Sequence, residues 1–103
     1  MINVIIYLRQ EHNPKELINF LLSKKLIASA SFDLNNISYK LVDEEIKEEI
    51  YCVITAQSKG LLFDNIVDEV EYLLKEKVSI NSTPIVGASG FFHDTVRTNT
   101  IQQ

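Results

Sequence analysis

The chain has 103 residues, of which 46% are apolar and 23% charged, and its formal net charge is −4. That length supports one hydrophobic core and not two, and the composition excludes a disordered, highly charged chain. The ten Lys and Arg are scattered among fourteen Asp and Glu, which excludes a basic nucleic-acid surface and leaves small molecules, cations or proteins as the expected partners.

The first element is a strand over residues 2–8, where Val4, Ile5, Ile6 and Tyr7 are apolar on both faces and the polar run Arg9-Gln10-Glu11-His12 closes it. The start of the chain has no basic segment and no small-residue cleavage site, and no apolar run is long enough to span a bilayer. A cytoplasmic protein with no membrane partner is expected. Asn13 as N-cap, Pro14 at the first helical position and Glu16 three residues after the cap open a helix. Leu17, Phe20 and Leu21 form its apolar stripe, and it closes near Lys24-Lys25, whose charges suit the negative end of the helix dipole.

Residues 26–42 read as a strand with a bend or bulge at the polar pair Asn35-Asn36. Asp43-Glu44-Glu45 then form the tip of a long hairpin. No Asn-Gly pair marks a tight turn there, and the like charges favour a tip that is solvated or that meets cations of a neighbouring chain. The return strand runs through residues 46–55 and ends continuously apolar. Ser58-Lys59-Gly60 open a second helix, with Phe63, Ile66, Val67, Val70, Leu73 and Leu74 on one stripe and Asp64, Asp68, Glu69 and Glu71 facing away. A polar link at Asn81-Ser82-Thr83 leads to a fourth strand over residues 84–89, where Gly87 permits close backbone approach, and the tail over residues 90–103 adds a short edge strand.

The order β-α-β-β-α-β predicts an α+β, ferredoxin-like domain over residues 1–103: a four-stranded antiparallel sheet with two helices on one face and a long hairpin between its second and third strands. Two helices cover only one face, yet the first and third strands carry apolar residues on both (Val4, Ile5, Ile6; Cys52, Val53, Ile54). Something must cover the second face. Another copy of the subunit is the economical answer, and partial cover by the tail is the competing one.

Few residues advertise chemistry. The cluster Asp43, Glu44, Glu45, Glu48 and Glu49 lacks the spacing and the glycine of a calcium loop and reads as a solvated tip. His12 and His93 stand at no zinc-ligand spacing, which leaves only a weak site assembled between subunits. Cys52, the lone cysteine among Tyr51, Val53 and Ile54, reads as packing. Gly60, Gly87 and Gly90 are too dispersed for a phosphate loop. No nucleophile, base and orienting group fall into relation, so the chain reads as non-enzymatic and no catalytic residue is assigned.

Leu26-Ile27-Ala28-Ser29, directly after a helix that closes on two lysines, resembles the Leu-Ala-Ala-Cys segment of the CutA family, the divalent-cation-tolerance proteins. Tyr39 suits that family's hairpin tyrosine. The run Glu49-Ile50-Tyr51-Cys52-Val53-Ile54-Thr55-Ala56-Gln57-Ser58 is similar to its glutamate followed by an apolar strand, and Pro84-Ile85-Val86 stand in for its last strand. The resemblance covers most of the chain, up to about Phe92. It implies a ferredoxin-like, PII-like subunit that forms a homotrimer through its long hairpins, takes part in tolerance of or response to divalent metal, and binds a small ligand or cation in clefts between subunits. It makes Glu49 the charged ligand-binding group, with Tyr39, Thr55 and Gln57 as neighbours. Ser29 stands at the family cysteine, Ile37 at its hairpin serine, Leu41 at its hairpin tryptophan and Thr55 at its lysine, and the His-Pro-Tyr segment after the second helix is missing. With the soft sulfur ligand replaced by a hydroxyl, copper is not implied. A weakly held divalent cation remains as cofactor candidate, with its ligands unassigned. The alternative is a PII-like signalling regulator whose hairpin touches a protein partner when an effector binds.

Overall fold

The computed structural model describes residues 1–101. Strand β1 (Ile2–Arg9) sits inside a four-stranded sheet of order β2-β3-β1-β4, with β2 at Ser29–Val42, β3 at Glu45–Ser58 and β4 at Ser79–Pro84. All neighbours are antiparallel. Helices α1 (Pro14–Ser23) and α2 (Phe63–Leu74) complete the expected order, and a third helix, α3 (Gly90–Asn99), follows. The α+β, ferredoxin-like architecture is as predicted.

Alternation along β1 and β3 decides which face is the core. Val4, Ile6 and Leu8 on β1 and Cys52, Ile54 and Ala56 on β3 are buried against Leu17 and Leu21 of α1 and Ile66 and Val70 of α2. Each helix contributes one stripe, as its sequence period requires. Asn13 caps α1 by accepting hydrogen bonds from the N–H groups of Lys15 and Glu16, at 2.9 and 3.2 Å, which satisfies two of the free donors at the helix start. The helix stops at Ser23, earlier than its lysines suggest, because Lys25 turns left-handed and sends Leu26 and Ile27 into the core outside any strand. Ser58 is buried with them, its hydroxyl donating to the Leu26 carbonyl at 2.5 Å. Entry to α2 is likewise delayed: residues 60–62 form a 3₁₀ turn first.

Three expectations are corrected. The hairpin turn is tight: Val42 pairs with Glu45, and Asp43 and Glu44 both adopt positive φ (51° and 65°), the backbone of a two-residue type I′ turn without its usual Asn-Gly. The fourth strand is the polar segment Ser79–Pro84 and not residues 84–89. At the sheet edge it needs an apolar partner only at Ile80, opposite Ile6, and Pro84, which lacks an N–H, ends it. Gly87 makes no close approach, since a Cβ there would meet nothing within 4 Å. The tail is a helix and not an edge strand: Ser89 caps it by accepting from the Phe92 N–H at 3.2 Å, and Val96 is its buried residue. The bulge is where the polar pair places it, between Asp33 and Asn36, with Asn35 at φ 61°. Residues 102 and 103, part of the predicted edge strand, lie outside the described residues.

Candidate functional site

Beyond the helices the hairpin runs on with none of the described residues of its own chain packed over it. By alternation Ile37, Tyr39 and Leu41 on β2, and Ile46 and Ile50 on β3, continue the face that α1 and α2 cover further down. There they are exposed, Leu41 by 71% and Ile46 by 76%. The opposite face carries the polar chemistry. The Tyr51 hydroxyl donates to Glu49 Oε2, and Lys40 Nζ reaches Glu49 Oε1 at 2.9 Å and the Tyr51 oxygen at 3.3 Å. Tyr7 stands edge-on to Tyr51, ring centroids 5.9 Å apart. A cavity of about 250 Å³ opens beside them, lined by Tyr7, Arg9, Lys40, Tyr51, Glu76 and Ser79 among others.

Tyr51 hydrogen-bonds the Glu49 carboxylate and Lys40 adds a second bond, so both hold its pKa below the usual carboxylate value. The same contacts raise the Lys40 ammonium, with Glu49 the larger cause. The pair stays charged in neutral solution. In a ¹³C NMR titration the Glu49 carboxyl is therefore expected to protonate at lower pH than an unperturbed glutamate, and Tyr51→Phe to move it back upward. A Glu49 midpoint that does not respond to Tyr51→Phe would contradict the arrangement.

The four residues singled out from sequence do not converge within one chain. Glu49, Thr55 and Gln57 share a face of β3, but Thr55 lies six residues along the strand from Glu49, about 20 Å at the usual rise. Gln57 sits near the far end, accepting from the Ser29 hydroxyl at 2.6 Å and donating to Asn3 at 2.9 Å, beside a shallow 420 Å³ cavity that Phe92 of α3 also lines. Thus α3 reaches only that end of the second face, while Ile5, Tyr7 and Val53 stay half-buried. Tyr39 points to the other face, its hydroxyl donating to Glu48 at 2.7 Å. Lys40, Tyr51 and Tyr7 were missed by sequence reasoning. The register that would have found Lys40 depends on the turn: two residues at Asp43-Glu44 set Ser38 opposite Glu49, which brings Lys40 to Glu49 on the diagonal.

The remaining reactive side chains divide simply. Cys52 is buried, and burial, with Asp33 nearby, pushes its thiol pKa up, which keeps it protonated and inert. His93 is exposed beside Asp94 at 3.8 Å. Among the described residues, Glu11, His12 and Glu76 bring potential metal-ligand atoms within 4.8 Å of one another. No helix among the described residues is long and apolar enough to cross a membrane.

No family model and no curated protein matches the sequence. Solved structures do match in fold. CutA1 from Oryza sativa superposes with a TM-score of 0.89 at 16% identity, over 99% of this chain and 94% of that one. The divalent cation tolerance protein from Thermus thermophilus gives 0.88 at 20% identity, over 97% and 99%. The periplasmic divalent cation tolerance protein CutA from Archaeoglobus fulgidus gives 0.85 at 21%, over 96% and 98%. With TM-scores of 0.85 to 0.89 and near-complete coverage at low identity, this chain has the fold of the CutA1 divalent cation tolerance proteins.

Proposed function

We propose that this chain is a CutA-like, non-enzymatic homotrimer that binds a small ligand or cation in clefts between subunits and serves tolerance of, or response to, divalent cations in the cytoplasm. The observation that carries the reading is the hairpin: Ile37, Leu41 and Ile46 form an exposed apolar stripe continuous with the covered face of the sheet. A monomer leaves such a stripe in water at a cost of about 25 cal/mol for each Å² of apolar surface that a partner would bury. Strands β2 and β4 also leave both sheet edges unpaired among the described residues. A hairpin that rests on a different surface of its neighbour makes a heterologous contact, which forms a ring where the rotation closes; the resemblance to the CutA family supplies the number three.

Assembly also supplies what one chain lacks at the site. Glu49, Lys40 and Tyr51 lie on the hairpin, toward the outer part of β3, and Thr55 and Gln57 toward its other end, so a ligand that touches both groups needs a second subunit to bring them together. The fold shared with proteins named for divalent cation tolerance supports the cation reading. The cytoplasm is part of the proposal and not of the likeness, since one of the similar structures is of a periplasmic protein, from Archaeoglobus fulgidus. Native mass spectrometry tests the foundation: the expected mass is three times that of the 11.8 kDa chain, and a monomer at micromolar concentration would end this reading.

A further inference from the structure

Next to the cavity that Lys40 and Tyr51 share with Arg9 and Glu76, three side chains meet where the turn after β1 approaches the end of α2. Glu11 and His12 lie between β1 and the Asn13 cap of α1, and Glu76 follows the left-handed cap residue Lys75. Their positions are set by regular structure on both sides. The His12 N–H donates to the Arg9 carbonyl at 3.0 Å, and the Lys75 N–H closes α2 on Glu71 at 2.9 Å. The side chains of His12 and Glu76 are 19% and 26% exposed, so neither ranges freely.

The two oxygens of Glu76 are divided between partners. Arg9 Nη1 lies 3.3 Å from Oε1, and His12 Nε2 is hydrogen-bonded to Oε2. Glu11 completes the group, its Oε1 3.9 Å from the same guanidinium nitrogen. Imidazole nitrogen and both carboxylates thus stand within 4.8 Å of one another. Around an ion that binds at about 2.0–2.2 Å, donor atoms are separated by roughly 3–4 Å, which small side-chain rotations reach from here.

We propose that Glu11, His12 and Glu76 form a divalent transition-metal site within each subunit, with zinc the best-matched ion. His12 ligates through Nε2: the proton that Glu76 accepts from Nε2 in the free chain moves to Nδ1 of the neutral ring, or to solvent where the ring was protonated, and the ion takes the place of that hydrogen bond. Glu76 ligates through Oε2 while Arg9 keeps Oε1, the outer-sphere role that fixes a ligating carboxylate. Glu11 supplies the third bond, and water fills the remaining position on the exposed side. One nitrogen and two carboxylates without sulfur suit zinc, cobalt or manganese and not cuprous ion. The guanidinium charge opposes the cation, which makes this a weaker site than a closed four-ligand one. All three ligands come from one chain, so the site stands whether or not the subunit trimerises.

The test is isothermal titration of the full chain with zinc chloride at neutral pH, beside the visible absorption of the cobalt-loaded protein. One zinc per chain is expected. His12→Ala and Glu76→Gln should each weaken binding by about tenfold or more and erase the cobalt bands, with unchanged circular dichroism, while His93→Ala leaves both readouts as they are. Absence of zinc uptake by the unmodified chain overturns the proposal, as does equal uptake by His12→Ala or an equal loss in His93→Ala. A trimeric mass without zinc binding removes this site and leaves the proposed assembly, and zinc binding by a monomer does the reverse.

Discussion

Replacing Leu41 and Ile46 together by lysine is expected to convert the proposed trimer to monomers while leaving the subunit folded. The two residues face each other across the hairpin, near its turn, and are 71% and 76% exposed in the single chain. They touch nothing that the subunit's own core requires, so the substitutions have little to destabilise within the chain. In an assembly whose hairpins lie on neighbouring subunits, the same two positions are buried, and each lysine must carry its charge into an apolar contact at a cost of several kcal/mol. In the proposed trimer the effect is repeated at each of three contacts. Native mass spectrometry should read a single chain for the double variant, with circular dichroism unchanged. A double variant that stays trimeric would place the contact elsewhere and remove the hairpin as its basis.

The largest single-residue loss of stability is expected at Ile6. Its side chain is fully buried, and it lies on β1 between Ile54 of β3 and Ile80 of β4, where the sheet is paired on both sides. Ile6→Ala removes three carbons from a packed interior and leaves a cavity that three strands hold open, which costs about 2–5 kcal/mol. Urea unfolding at fixed chain concentration measures this, the concentration being held because assembly adds to apparent stability. Gln10→Ala, on an exposed turn, is the reference and should stay within about 0.5 kcal/mol of the unmodified protein. Equal midpoints for the two variants would mean that the core is not centred on β1.

Much of the fold was legible because its signals are local. Asn13, Pro14 and Glu16 mark the start of α1 through hydrogen-bond chemistry confined to one turn, and alternation marks the paired strands. The errors fall where the deciding partner is distant in sequence. Ser79–Pro84 looks like a loop until β1 is placed beside it, because an edge strand pairs on one side and needs little apolar surface. The tail is hard to read for a related reason: α3 has a single buried residue, Val96, and no stripe for a periodicity argument to find. Asp43 and Glu44 hide a tight turn, since neither is a residue that the left-handed region favours as glycine does. That turn sets the hairpin register, and with it the contact of Lys40 with Glu49. The metal-ligand triad was illegible for the plainest reason: Glu76 is more than sixty residues from His12, and nothing in either neighbourhood announces the other.

The open flanks of β2 and β4 carry a consequence for the life of the chain before assembly. A newly folded subunit offers two ready-made templates for strand addition, and the wrong guest can dock as easily as the right one. Association with sister chains would therefore also guard against fibril growth, and a variant that no longer associates, though folded and single-chained when dilute, would be the first to aggregate as its concentration rises.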